Sequence, residues 1–112
     1  MNTDIFSKGL LGEARAARYL KKQGMRLLSM RYRAAHGEID LIMRDGETLV
    51  FVEVKYRPDG MIGAGTTAVD ADKRRRVRQA AESYLHAHPA QSVRFDIVEI
   101  TRSGIRHLRS AF

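Results

Sequence analysis

Cysteine is absent from the chain, and proline occurs only twice. Without cysteine the protein has no disulfide framework, no thiolate zinc site, no iron–sulfur cluster and no cysteine nucleophile. The absence of cysteine is compatible with a reducing cytoplasm, where we expect the protein to be located.

Long apolar runs are also absent. No segment approaches the roughly eighteen apolar residues that a membrane-spanning helix needs, so we expect none. The N-terminal segment lacks the apolar core of a signal peptide because Lys8, Glu13 and Arg15 interrupt it.

Acidic residues are outnumbered by basic ones. Thirteen Asp and Glu stand against twenty Lys and Arg, which gives a formal net charge of +7. Such an excess favours a polyanionic partner, either nucleic acid or an anionic membrane surface. We expect nucleic acid and no membrane, because no amphipathic helix offers the large leucine and aromatic face that membrane binding requires.

The 112 residues predict a single domain, residues 1–112, with enough buried surface for one core. Helical spacing predicts a helix from about Ser7 to Gln23, which Gly24 stops, and a second helix from Asp70 as N-cap to about His86. Patterns rich in Val, Ile and Phe predict strands at Met25–Arg33, Glu38–Arg44, Leu49–Tyr56, Ser92–Ile100 and Ile105–Leu108.

These elements follow the order α-β-β-β-α-β-β, which predicts a mixed α/β or α+β fold with helices flanking a central sheet. Asp45-Gly46 predicts a hairpin between two of the strands. The segment Arg57–Val69 contains Pro58 and three glycines and is expected to be a mobile loop.

The strand Leu49–Tyr56 carries charges on an otherwise apolar face. Side chains alternate along a strand, so Glu53 and Lys55 share one face with Phe51, while the valines form the other. For an isolated Glu-x-Lys, a solvated end of an edge strand is the preferred interpretation, since the tripeptide is common by chance.

The preceding strand, Glu38–Arg44, adds a second carboxylate to this face. Alternation places Ile39, Leu41 and Met43 on one side and Glu38, Asp40, Ile42 and Arg44 on the other. If the hairpin loop is the four residues Asp45–Thr48, with Arg44 opposite Leu49, Asp40 lies directly opposite Glu53. A two-residue Asp45-Gly46 loop would make the pair diagonal on the same face, and a loop of odd length would put the two acids on opposite faces. Cross-strand neighbours are about 5 Å apart, and two carboxylates at that distance repel unless one is protonated or a cation lies between them.

The first helix buries a third carboxylate in this prediction. Its apolar arc consists of Leu20, Ala17, Leu10, Ala14 and Leu11. Glu13 falls inside the arc, where an unpaired carboxylate is costly. Its partner is either an Arg or Lys in an ion pair or a metal shared with Asp40 and Glu53, and helix geometry alone does not decide.

The second helix places Lys73 near the middle of an apolar arc formed by Ala80, Tyr84, Val77, Ala81 and Leu85. The run Lys73–Arg78 holds five cations in six residues. A charge run usually marks a solvated face. Cations at a helix start oppose the helix dipole, however, which suggests that they serve a polyanion.

Other polar residues are assigned structural places. We expect Asp96 to pair with Arg94 or with a helix arginine. The four histidines, His36, His86, His88 and His107, show no metal-ligand spacing and are expected on the surface or in loops.

The constellation Glu13, Asp40 and Glu53-Val54-Lys55 resembles the PD-(D/E)XK nuclease superfamily, which includes restriction endonucleases and archaeal Holliday-junction resolvases. The whole chain resembles the small YraN-like bacterial proteins of uncharacterised function. The segments that carry the resemblance span almost the entire chain: GEARAARYL (12–20), GEIDLI (37–42), VFVEVKYR (50–57), the helix from Lys73 and RFDIVEI (94–100). In one departure from the superfamily pattern, Ile39 rather than proline precedes Asp40.

The resemblance implies a restriction-endonuclease-like core with the element order α-β-β-β-α-β. It also implies that the protein is a metal-dependent endonuclease, which hydrolyses phosphodiester bonds and leaves a 5′-phosphate. Asp40, Glu53 and the main-chain carbonyl of Val54 would bind Mg²⁺ or Mn²⁺, and Glu13 would add a ligand directly or through water. Lys55 would orient or deprotonate the attacking water.

Nucleic acid is the expected partner, with DNA, including branched or junction DNA, favoured over RNA. The expected contacts are Lys73, Arg74, Arg75, Arg76, Arg78 and Arg57. A homodimer would follow only by analogy with the resolvases. The alternative is a non-catalytic nucleic-acid-binding protein that uses the basic helix and keeps its acids as structural ion pairs.

Overall fold

Two helices and five strands follow one another in the order that the sequence predicts. The structure, a computed structural model, describes residues 4–59 and 70–112, with side chains from residue 9 onwards. The elements are α1 (Asp4–Lys22), β1 (Arg26–Ala34), β2 (Gly37–Asp45), β3 (Thr48–Arg57), α2 (Ala71–Ala87), β4 (Ser92–Thr101) and β5 (Gly104–Leu108). Residues 60–69 of the predicted mobile loop lie outside the described residues.

The strands form one mixed sheet in the order β1-β2-β3-β4-β5. Only β3 and β4 are parallel, and the other neighbours are antiparallel. Parallel neighbours need a crossover connection, which here contains α2. The mixed sheet with its two helices is therefore as predicted. Neither helix is long and apolar enough to cross a membrane within the part of the chain that the structure describes.

Each face of the sheet packs against one helix. On the α1 side, Ala16, Ala17 and Leu20 meet a cluster that consists of Met25, Leu41, Met43, Val50, Val52, Val98 and Ile100. On the α2 side, Val77, Ala80, Ala81 and Tyr84 meet Ile39, Ile42, Leu49 and Phe51. The predicted alternation along β3 is confirmed, with the valines towards α1 and Phe51 towards α2.

The predicted apolar arc of α1 is wrong in its first half. Leu10 and Leu11 are 41% and 51% exposed, and Ala14 is also exposed. The helix instead turns Gly12 towards β3, where an added Cβ would lie 2.8 Å from Tyr56. This close approach rotates Glu13 and Ala16 into the interface, so the prediction that Glu13 is buried holds.

Gly24 ends α1, as predicted. Its φ of +98° belongs to the left-handed region that glycine adopts without strain. The N–H of Met25 donates to the carbonyl of Leu20 and that of Gly24 to the carbonyl of Lys21, a Schellman arrangement.

Gly37 lets α2 lie directly on the start of β2. A Cβ at this position would be only 2.1 Å from the main-chain oxygen of Arg76, which cannot swing away as a side-chain tip can. The sequence GEIDLI therefore begins with a glycine for a packing reason. This contact sets how near the first turns of α2 come to β2 and β3.

We expect Gly37→Ala to lower the free energy of unfolding by roughly 1–3 kcal/mol, because the backbone of α2 must move. Urea unfolding measures this loss. Gly46→Ala is the control: Gly46 has φ of +62° and open space around it, so it tests conformational strain without a clash. A loss at Gly37 no larger than at Gly46 would contradict the close packing.

Candidate functional site

The hairpin between β2 and β3 brings Asp40 next to Glu53. Arg44 pairs with Leu49 and Asp45 with Thr48, so the predicted register is confirmed with a two-residue loop. The ladder runs to Leu41 and Val52. One residue beyond Leu41 on β2, the Asp40 carboxylate accepts a hydrogen bond from the main-chain N–H of Val54, at 2.8 Å. The carboxylate of Asp40 thus takes the place of a main-chain acceptor at the level where β2 and β3 carry Asp40 and Glu53.

The alternation of β2 breaks at Asp40. We expected Ile39 on the same face as Leu41, but Ile39 packs with Ile42 on the α2 side. The neighbouring strand is irregular at the same level, since Arg31 has φ of 54° and lies between the partners of Ile39 and Leu41. This value is uncommon for a residue with a side chain and marks local backbone strain.

Arg31 is the partner of Glu13. Its Nε donates to Glu13 Oε1 at 2.7 Å, and Glu13 is only 8% exposed. Burial raises the pKa of Glu13, while the hydrogen bond from Arg31 acts in the opposite direction. Of the two partners that the sequence left open, the structure shows the arginine. No group of three His, Asp or Glu side chains is arranged to hold a metal among residues 9–59 and 70–112.

Glu53 lies between two ammonium groups. Lys73 Nζ is 3.1 Å and Lys55 Nζ 4.0 Å from Glu53 Oε1. Lys73 occupies the first turn of α2, and its N–H is capped by Asp70. Burial alone would lower the pKa of Lys73, but the attraction of Glu53 outweighs it and the pKa is raised. The lysine that we predicted as a nucleic-acid contact therefore has its ammonium at the acidic cluster.

Asp40 keeps its proton far more readily than an ordinary aspartate. Burial, followed by the neighbouring charge of Glu53, raises the pKa of Asp40 to about 7. The N–H of Val54 and the ammonium of Lys73 act in the opposite direction without cancelling these effects. A buried carboxyl beside a second carboxylate can take up either a proton or another cation near neutral pH.

The arginines of α2 face solvent, outside its apolar arc. Arg75 and Arg76 form exposed ion pairs with Asp72, which contribute little to stability. The guanidinium of Arg78 lies 4.9 Å from the centre of the Phe95 ring. Arg74 is exposed beside them.

A cavity of about 400 Å³ lies beside the contact between the start of α2 and the β1–β2 turn and is lined by residues of both. Its lining includes the basic residues Arg33, Lys73 and Arg76 together with His36 and Glu38. Lys73 lines this groove and is also ion-paired with Glu53, which does not line it.

Sequence reasoning missed the role of Glu99. Its side chain is fully buried, and Arg57 Nη1 donates to Glu99 Oε2 at 3.4 Å. A carboxylate at the third-last position of the apolar strand Ser92–Thr101 was the available signal. Arg31 offered no comparable signal, because nothing local predicts its contact with Glu13.

Asp96 lies at the centre of a hydrogen-bond network on the α1 face of the sheet, opposite to the face of Glu53. Arg94 donates to it at 3.0 Å, as predicted, and Ser110 donates through its main-chain N–H. His107 Nε2 lies 2.7 Å from it, so the surface position that we expected for His107 is wrong. Burial alone would raise the pKa of Asp96, but the hydrogen bonds from His107 and Arg94 outweigh it, and the pKa is lowered.

Comparison with known proteins identifies relatives of similar length. The model of the uncharacterised protein family UPF0102 matches residues 12–100. A UPF0102 protein of Chromohalobacter salexigens is 44% identical, over 99% of this chain and 94% of its own. One of Xanthomonas campestris is 46% identical, over 94% and 90%, and one of Colwellia psychrerythraea is 39% identical, over 99% and 92%. The chain therefore belongs to the uncharacterised protein family UPF0102, as its resemblance to the YraN-like proteins indicated.

Proposed function

We propose that this protein is a metal-dependent nuclease of the PD-(D/E)XK type that hydrolyses phosphodiester bonds of nucleic acid, with DNA favoured over RNA. One observation carries the proposal: Asp40, Glu53 and Lys55 meet on adjacent strands, and the Asp40 carboxyl accepts the N–H of Val54 at 2.8 Å. The chain order α1, β1, β2, β3, α2 and β4 is compatible with a restriction-endonuclease-like core.

The donor set fits Mg²⁺ or Mn²⁺. Asp40, Glu53 and the carbonyl of Val54 offer hard oxygens, and Mg²⁺ is commonly held by one or two carboxylates while it keeps several waters. When bound, the ion supplies Lewis-acid activation of a water and of the phosphate. Glu13 would contribute through water or after its release from Arg31.

Two ammonium groups complete the proposed site. Lys55, 22% exposed, lies 4.0 Å from Glu53 and would orient the attacking water and offset the negative charge that develops at phosphorus. Lys73 pairs with Glu53 at 3.1 Å and holds that carboxylate in place. Lys73 on α2 would thus position Glu53, and Lys55 on β3 would stabilise the charge that develops at phosphorus.

The nucleic acid would lie along the basic groove and the exposed arginines Arg74, Arg75, Arg76 and Arg78. The net charge of +7 supports a polyanionic substrate. A preference for branched DNA and a homodimer belong to the proposal by analogy with resolvases. A cytoplasmic location belongs to it because the chain lacks cysteine.

A non-catalytic nucleic-acid-binding protein is the second candidate. The ion pairs Glu13–Arg31 and Glu53–Lys73 favour it, because they satisfy two buried acids without any metal. Metal binding separates the two candidates.

We expect Asp40→Asn to abolish most Mg²⁺ or Mn²⁺ binding and cleavage, because a charged ligand is lost while the shape is kept. Nucleic-acid binding should stay the same or tighten, since a negative charge near the phosphate has gone. Calorimetric metal titration and cleavage of linear, flapped and four-way DNA measure these effects.

Lys55→Ala is the companion variant. It should leave metal binding intact and lower the rate of the chemical step, because Lys55 acts on developing charge. If cleavage is undiminished in both variants, the activity lies elsewhere. If Asp40→Asn does not change metal binding, the non-catalytic candidate is favoured.

The raised pKa of Asp40 predicts a pH dependence of stability. Between about pH 4 and pH 7 folded Asp40 holds a proton that the unfolded chain has released, so stability falls as the pH rises through this window. We expect the melting temperature of the metal-free protein to fall as the pH rises from about 4 to about 7, and Asp40→Asn to flatten this dependence. The exposed Asp59 provides the control Asp59→Asn; an equal effect of both variants would contradict the prediction.

We expect the triple variant Arg75→Ala, Arg76→Ala, Arg78→Ala to weaken binding to all DNA sequences. It should flatten the slope of log K against log salt by up to about three units, because each lost phosphate contact contributes about −0.9. Replacing Arg15, Arg18 and Lys22 on α1 removes equal charge from the other side of the sheet. An unchanged slope, or an equal change in the control, would remove α2 from the interface.

A further inference from the structure

A row of charged residues crosses three strands next to the acidic pair. Lys55 on β3 pairs with Glu99 on β4, and Glu99 pairs with Arg106 on β5. Paired residues in a sheet lie on the same face, and Arg57 joins them because it is two residues from Lys55. Neighbouring strands are about 4.8 Å apart, so the row begins at the candidate site and runs away from it across the sheet.

The row is not a balanced ion-pair network. Glu99 is fully buried, and it is the one carboxylate of the row among three cations. Arg57 Nη1 is 3.4 Å and Arg106 Nε 3.9 Å from its oxygens. The Nε of Arg106 is buried and has no hydrogen-bond acceptor among the described residues. Lys55 also lies 4.0 Å from Glu53, so Arg57 and Arg106 share Glu99. A network that served stability alone would match its charges, whereas among the described residues this row carries one arginine more than its carboxylates.

The guanidinium groups of Arg57 and Arg106 are both ion-paired with the buried Glu99, and both side chains are partly exposed to solvent. The side chains of Arg57 and Arg106 are 36% and 40% exposed, although the carboxylate between them is not exposed at all. Glu99 therefore cannot touch a ligand, but it can hold two guanidinium groups side by side at the surface. Planar guanidinium groups bind phosphate through paired donors.

We propose that Arg57, Arg106 and Lys55 form a phosphate-binding subsite, and that Glu99 is its positioning residue. The ligand is a backbone phosphate of the nucleic-acid strand, next to the phosphate that lies at Asp40 and Glu53. This assignment to a neighbouring phosphate rests on the proposed nuclease function. The subsite directs the strand across β3, β4 and β5, away from the basic groove at α2.

The test measures DNA binding without metal, as a function of salt, for the full chain. Arg106→Ala should weaken binding several-fold and reduce the salt slope by about one unit, because one phosphate contact is lost. The matched control is Arg44→Ala, which removes an equal charge at the hairpin end of β2 and should change neither quantity. Equal effects of the two variants would overturn the subsite.

Glu99→Gln tests positioning through the sign of its effect. The change makes the surface more positive, so electrostatics alone would tighten binding. If Glu99 holds the guanidinium groups in place, binding weakens instead and the salt slope falls. Tighter binding by a variant that folds, as circular dichroism would show, overturns the positioning role. If the variant fails to fold, Arg106→Ala, which changes a partly exposed side chain, still decides on the subsite.

The outcomes separate this inference from the nuclease proposal. If Asp40→Asn removes metal binding but Arg106→Ala behaves like Arg44→Ala, the nuclease stands and the subsite is overturned. If Asp40→Asn leaves metal binding unchanged but Arg106→Ala weakens DNA binding, the charged row is the phosphate site of a non-catalytic nucleic-acid-binding protein. A wild-type protein that binds no DNA overturns both.

Discussion

The ion pair between Lys73 and Glu53, 3.1 Å long, joins α2 to the strand that carries the candidate site. It requires α2 to begin close above the sheet, and the missing side chain of Gly37 permits that approach to the main chain of Arg76. With Lys73 in place, Glu53 can remain almost fully buried beside Asp40. The packing of one glycine and the charge of one lysine thus determine where two carboxylates meet.

The other buried carboxylates among the described residues are each paired with a cation, from a distant segment for Glu13 and Glu99 and from the same strand for Asp96. Arg31 serves Glu13, Arg94 serves Asp96 and Arg57 serves Glu99. Burying an ion without its partner would cost several kcal/mol, so these pairs hold the sheet and its neighbours in one arrangement. Asp40 differs, because it forms no ion pair with the residues that the structure describes, and burial followed by the charge of Glu53 raises its pKa to about 7. A divalent cation would compensate Asp40 and Glu53 together.

Local patterns were sufficient for the elements, the register of the β2–β3 hairpin and the face of Glu53 and Lys55, since these depend on periodicity and on a short turn. They also placed Lys73 on the buried side of α2. They failed for Leu10 and Leu11, because the side on which α1 packs depends on Gly12 meeting Tyr56. They failed for Ile39, because the positive φ of Arg31 accompanies a break in the alternation that no local pattern announces.

The sequence by itself determined the order of helices and strands, the basic charge, and the positions of Asp40, Glu53 and Lys55 along two strands joined by a hairpin. Only the tertiary structure decided that Arg31 is bound to Glu13, that Lys73 reaches Glu53, and that Glu99 lies between Arg57 and Arg106. The physical reason is the range of the interaction. Periodicity and turns act between residues that are close in the chain, whereas the choice of a cation for a buried carboxylate depends on which distant segments pack against it.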